Sequence, residues 1–367
     1  MSDIGAQTGA EQFRGEFLQD LYARLYQVVD DNFDYVRFNY DGVDRSDKLN
    51  IKGNAANLDF ILGHLESFFA ASLLFSDRAS RELYLQLLKY RCLGHPHLKI
   101  SQDLGWSQVK QMFDRVSRLE AGDSELGFCC MFGPLKHYED VPAGDGVVAI
   151  EAWPANIVAD LGRDRHRQYY FDRDGVRIGP EAGDWIIDGG ACFGDTAVFF
   201  AHSAWPKGRV FAFEPLPGHI DIIARNIDQN GLEERVFIVP NGIGEQTNRV
   251  QAIAPELEGI RNPGFSLATV TESVPVISID DFLESQGIDR FDFLKLDIEG
   301  LELAALKGAA RSIERYRPRL AISLYHKLQD FYEIPLYLKS MFPCYRLYLD
   351  HYTIHYEETV LYAVADR

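Results

Sequence analysis

The spacing of apolar residues divides the chain into three stretches. Phe13, Phe17, Leu21 and Leu25 recur at helical spacing, as do Leu58, Ile61, Leu62, Leu65 and Phe69. Ser76 and Asp77 are candidate N-caps for a helix carrying Leu83, Leu87 and Tyr90, and Ser107 precedes another carrying Val109, Phe113 and Val116 and closed near Gly122. Between Phe128 and Pro180 the pattern changes to short runs such as GVVAIEAW and QYYFD, with Asp174-Gly175 inviting a hairpin between Tyr169 and Ile178. From Ala182 onward, short apolar runs alternate with helical patterns, as expected of a mainly parallel sheet covered on both faces. Strands are expected at 185–188, 210–214, 236–239, 291–297, 320–325, 345–349 and 359–364. The connection His351 to Glu358 is too short for a helical crossover, so the last two strands should pair antiparallel.

This predicts an α/β protein with a doubly wound, mainly parallel, seven-stranded sheet. The expected domains are a helical amino-terminal domain at 1–125, a β-rich connector at 126–180 and a nucleotide-binding domain at 181–367.

Chemistry concentrates in IIDGGACFGDTAVFF, residues 186–200, where an apolar strand ends in Asp188, a glycine turn follows and Asp195-Thr196 opens a helix. The next strand, VFAFEP, places Glu214 at its carboxyl end, where an acid grips a ribose diol in doubly wound sheets. Gly189, Gly190 and Gly194 fit no register of the G-x-G-x-x-G/A loop that brings backbone N–H groups to a pyrophosphate, so an NAD-dependent oxidoreductase is disfavoured. The spacing Asp188-x-Gly190-x-x-x-Gly194 suits a nucleoside without phosphate. S-adenosylmethionine is such a ligand, and Asp188 at the strand tip is a candidate partner for its ammonium.

Thirty-seven basic against 55 acidic residues give a net charge of -18, which repels a phosphate backbone, so no nucleic-acid partner is expected. The short patch Arg163 to Arg167, interrupted by Asp164, reads as a solvated loop. Five cysteines, none in a C-x-x-C pair, fit neither a disulfide framework nor a zinc site. With no signal-peptide pattern and no apolar run long enough to span a bilayer, a cytoplasmic setting is expected.

The ordered run IIDGGACFGDTA, VFAFEP, Asn226 in ARNIDQN, VPVISIDDFL at 274–283, FLKLDIEGLELAALKGA at 293–309 and RPRLAISLYHK at 317–327 resembles the FkbM family of S-adenosylmethionine-dependent methyltransferases over residues 168–364. The resemblance implies a class I methyltransferase fold. It also implies that Gly190, Ala191, Gly194, Asp195 and Thr196 surround the methionine end of the cofactor. Glu214 would bind the ribose hydroxyls, and Pro215 and Asn241 would line the adenine pocket. Cys192-Phe193 departs from the family pattern, and Cys192 reads as a lining residue.

Asp297, Glu299 and His326 fall beyond strands at the sheet's carboxyl edge, where ligands bind in such sheets. His326 is the candidate general base, because an imidazole titrating near pH ~6.5 is largely neutral at working pH. The alternative is a histidine that bonds a neighbouring carboxylate. Asp297 would orient His326, contact the ammonium or contribute to a divalent-metal site whose remaining ligands the sequence does not supply. Glu299 is either a substrate contact or a first-turn acid of the following helix.

The expected activity is O-methylation of a hydroxyl on a glycan or small natural product, with a non-catalytic nucleoside-binding or scaffold protein as the alternative. The sequence leaves the acceptor, the role of residues 1–125, the metal requirement and homo-oligomerisation open.

Overall fold

The computed structural model of the chain describes residues 2–35, 51–101, 104–119, 121–126, 129–130, 133–144, 146–160, 167–251 and 273–366. They form two compact units, residues 1–111 with 324–361 and 366, and residues 112–323 with 362–365.

In the first unit the amino-terminal stripe Phe13, Phe17 and Leu21 is buried, but Leu25 is 49% exposed because its helix ends at Arg24. The next expected helix is divided into Ile51–Gly63 and Leu65–Ser72, because His64 at φ -120°, ψ 23° leaves helical geometry. Asp77 caps Arg78–Leu93 by accepting from the Ser80 N–H at 2.6 Å. That cap anchors the edge of the strand Tyr345–His351, since Leu347 N–H donates to Ser76 Oγ at 3.1 Å and Leu349 N–H to Ser80 Oγ at 2.8 Å. Covering an edge in this way removes a template for unwanted strand pairing.

The second unit carries the connector and most of the sheet. The strands Lys136–Ala143 and Gly146–Ala152 pair antiparallel, and the expected hairpin forms from Phe171–Arg173 and Val176–Ile178. Its turn works because Asp174 (φ 51°) and Gly175 (φ 77°) both adopt left-handed backbone. Of the basic patch, 163–166 lie outside the described residues, whereas Arg167 stacks over the Tyr170 ring at 3.7 Å.

The central sheet contains β1 (Trp185–Gly189), β2 (Arg209–Phe213), β3 (Val236–Val239), β4 (Phe293–Leu296), β5 (Arg319–Ser323), β6 (Tyr345–His351) and β7 (Thr359–Ala365), in spatial order β3-β2-β1-β4-β5-β7-β6. The pairs β3/β2, β2/β1, β1/β4 and β4/β5 are parallel. Hydrogen bonds from Tyr352 N–H to Glu358 O and from Asp366 N–H to Cys344 O run between β6 and β7 in opposite chain directions, so the closing pair is antiparallel. Ile186, Ile187, Val210, Leu294, Leu320 and Ile322 are buried, as the near-continuous apolar runs of a two-faced sheet require.

The helix α1 (Asp195–Ser203) follows β1, and α2 (Pro217–Asp228) follows β2. The single helix expected after Glu299 is instead two, α3 (Glu302–Lys307) and α4 (Ala310–Tyr316). Gly308 marks the break, where a Cβ would lie 2.2 Å from Gly244 O.

Candidate functional site

The turn after β1 is built around two glycines that no other residue replaces cheaply. Gly190 has φ 77°, and a Cβ there would sit 1.9 Å from the Asp297 carbonyl oxygen. Gly194 has φ 78° and is the N-cap of α1, supplying no side-chain cap to the helix. The N–H groups of Gly190 and Ala191 donate to Phe213 O at 3.1 and 2.9 Å, tying the turn to the end of β2.

Beneath the turn lies an ion pair. Asp188 is fully buried; its Oδ2 accepts from Thr196 Oγ1 at 2.7 Å, and its Oδ1 lies 3.0 Å from Lys295 Nζ. Lys295, on β4, also donates to Gly190 O at 2.7 Å. Burial pulls the Lys295 ammonium down, yet Asp188, Asp297 and Asp195 together push it above its ordinary value. Asp188 thereby ties the turn to the start of α1 and to β4, one oxygen on Thr196 and the other beside Lys295.

Asp195, the first residue of α1, is the carboxylate next above this pair. Burial, opposed by Lys295 and reinforced by Asp188, pushes it up to about 6. Its Oδ2 accepts from Asn156 Nδ2 at 3.3 Å.

Glu214 stands just past β2 and is 5% exposed. Its Oε2 accepts from Cys192 N–H at 3.1 Å and its Oε1 from Leu216 N–H at 3.0 Å, with His219 Nδ1 3.4 Å away. These bonds fix the carboxylate plane beside the turn, while a carboxylate with about four acceptor positions retains capacity for a diol. Cys192 has φ 50°, and burial with Glu214 alongside holds its thiol well above its ordinary range, making it a poor nucleophile. Pro215 follows Glu214, and Asn241 follows β3; a Cβ on adjacent Gly242 would meet Pro215 Cγ at 4.0 Å.

Beyond β4, Asp297 Oδ2 accepts from the Tyr169 hydroxyl at 2.6 Å, and Gln168 Nε2 donates to that hydroxyl at 3.1 Å. Glu299 (φ 56°) and Gly300 (φ 89°) form a left-handed turn, so Glu299 lies outside the first turn of α3. The acid that satisfies this turn is Glu302, fully buried, whose Oε1 accepts from Ile298 N–H at 2.9 Å and Gly300 N–H at 3.3 Å. His326 belongs to the first unit, where its ring lies 4.2 Å from that of Tyr325, whose carbonyl accepts from buried Arg91 at 2.7 Å.

The second unit thus brings together Asp188, Gly190, Ala191, Gly194, Asp195, Thr196 and Glu214 around one turn, with Asp297 approaching it through its backbone. Sequence reasoning missed Lys295, Tyr169 and Asn156. The lysine carried a signal in retrospect: a cation in a strand whose other positions are apolar needs a buried acid.

Residues 188–349 match the family model described as the methyltransferase FkbM domain. A methyltransferase of Sordaria araneosa, sdnD, is 26% identical over a match covering 34% of this chain and 60% of that protein. Among solved structures, the methyltransferase FkbM of Methylobacillus flagellatus KT superposes with a TM-score of 0.52 at 21% identity, covering 83% of this chain and 60% of that one. The chain spans 60% of the length of each of these relatives.

Proposed function

With residues 188–349 forming a methyltransferase FkbM domain on a class I methyltransferase fold, we propose that the protein is an S-adenosylmethionine-dependent O-methyltransferase. Its acceptor is a hydroxyl on a glycan or small natural product. The observation that carries the cofactor reading is Glu214, oriented by the Cys192 and Leu216 N–H groups beside a turn without pyrophosphate spacing. The donor set fits: Glu214 for the ribose hydroxyls, Pro215 and Asn241 for the adenine edge, and the uncapped start of α1 with Asp195 for the amino-acid end.

When bound, S-adenosylmethionine supplies a methyl group activated by its sulfonium. The protein's task is then to hold the acceptor oxygen in line with that methyl and to take up the acceptor proton. His326, three residues past β5, is the candidate base, Asp297 the candidate that orients it or contacts the cofactor ammonium, and Glu299 a candidate acceptor contact. The Tyr169 hydroxyl bond fixes the rotamer of Asp297, as a positioning role requires.

The choice of a hydroxyl acceptor rests on the family resemblance and on His326. Labelled S-adenosylmethionine incubated with the purified protein and a small-molecule and glycan extract, followed by mass analysis, tests it. A product gaining one methyl on oxygen supports the proposal; methylation confined to nitrogen or carbon contradicts it. Loss of turnover on chelation, restored by magnesium, would add a divalent metal to the reading. A protein that binds cofactor and never turns over against any extract favours the nucleoside-binding scaffold.

A further inference from the structure

The connector preceding the sheet is bolted onto the cofactor turn. Three amides near the end of α2 hold its backbone. Asn226 accepts from Glu151 N–H at 2.7 Å and donates to Phe193 O at 2.8 Å and Glu151 O at 3.1 Å. Gln229 Nε2 donates to Ala149 O at 2.9 Å, and Asn230 both donates to Ala149 O at 2.7 Å and accepts from Ala149 N–H at 3.0 Å. Trp153 then sets its ring edge-on to Phe193, inside the turn, at 4.8 Å, in an apolar cluster with Leu135 and Ile222.

This docking delivers one polar side chain to the start of α1. Asn156 Oδ1 accepts from Trp153 N–H at 3.3 Å, which fixes the amide's orientation and aims Nδ2 at Asp195 Oδ2, 3.3 Å away. A buried carboxylate aligned by a neutral donor, above an uncapped helix start, is a receptor for a zwitterionic amino acid: the acid takes the ammonium and the helix N–H groups take the carboxylate.

We propose that Asn156 is a positioning residue for the amino-acid end of the cofactor, acting through Asp195, and that residues 146–160 roof that end of the pocket. This rests on the S-adenosylmethionine reading above and extends it to which part of the ligand the connector reads. The groups facing Asp195 are Lys295 from β4, Asp188 from β1, Cys192 from the turn and Asn156 itself. The Asn156 bond holds the Asp195 carboxyl down against the upward push of burial, so its removal moves Asp195 further up.

Calorimetric titration of the full chain with S-adenosylhomocysteine and with 5′-methylthioadenosine, which lacks the amino-acid end, tests the proposal. Asn156→Leu should weaken S-adenosylhomocysteine about tenfold, the equivalent of one charge-assisted hydrogen bond, and leave methylthioadenosine within about twofold. The pH below which S-adenosylhomocysteine affinity declines should rise in that variant, and Asn156→Gln should restore part of the loss. Equal losses for both ligands would make the segment merely structural and overturn the proposal, as would unchanged affinity for S-adenosylhomocysteine. If the parent protein binds neither ligand, the cofactor reading itself is wrong, and the proposal falls with it.

Discussion

Replacing Lys295 with methionine should destabilise the sheet more than it disturbs any surface chemistry. The substitution keeps the length of the side chain and deletes its charge. Asp188, fully buried, then keeps only Thr196 Oγ1 as a donor, and Gly190 O loses its 2.7 Å bond. Removing one partner of a buried ion pair costs about 3 to 5 kcal/mol, because the remaining charge is uncompensated. That is a fifth or more of the stability of a typical domain, about 5 to 15 kcal/mol. The double variant Asp188→Asn/Lys295→Met should recover much of the loss, since a neutral amide still accepts from Thr196 and leaves no charge stranded.

The contribution of Lys295 is insensitive to pH near neutrality. A lysine raised on folding contributes in full below its ordinary value of 10.5 and loses that contribution only as pH climbs through the folded value, in strong alkali. Urea unfolding read by hydrogen exchange of the β1 and β4 peptides isolates the unit concerned. A loss below about 1 kcal/mol in the single variant, or a double variant no better than the single, would refute the reasoning.

Asp195→Asn should raise stability at pH 7.5 by about 1 to 3 kcal/mol while weakening S-adenosylhomocysteine. A carboxyl pushed up to about 6 contributes fully below 3.8, and that contribution is lost as pH rises through 6; thermal melts across that range check it. Glu214→Gln should lower S-adenosylhomocysteine affinity at least about tenfold in a folded protein, and calorimetry giving unchanged affinity would misplace the ribose. His326→Ala should cut turnover by about a hundredfold or more with cofactor affinity nearly intact. Near-parental turnover in that variant would make the histidine structural.

Local signals carried much of this in the sequence. The five parallel strands are legible because strands buried on both faces read as near-continuous apolar runs, the closing pair because its short polar connection leaves no room for a helical crossover, and the turn because Gly190 and Gly194 stand where positive φ is required. The Asp174-Gly175 hairpin is likewise a local matter of backbone preference. What escaped is tertiary. Asn156 and Asp195 are 39 residues apart and Tyr169 and Asp297 are 128 apart, and no periodicity encodes such meetings. The division of the helix after Leu301 also escaped, because Gly308 looks like a tolerated helical glycine until the Gly244 carbonyl approaches it. The Asp188–Lys295 pair escaped for a related reason: nothing local in the sequence shows that the strand-tip acid and the strand cation stand side by side on neighbouring strands.

The central claim, that the turn between β1 and α1 with Glu214 receives the nucleoside of S-adenosylmethionine, is tested most directly by calorimetric titration of the full chain with S-adenosylhomocysteine and, separately, with NAD. The account predicts saturable one-site binding of S-adenosylhomocysteine and no heat with NAD. Tight NAD binding with no response to S-adenosylhomocysteine would contradict it.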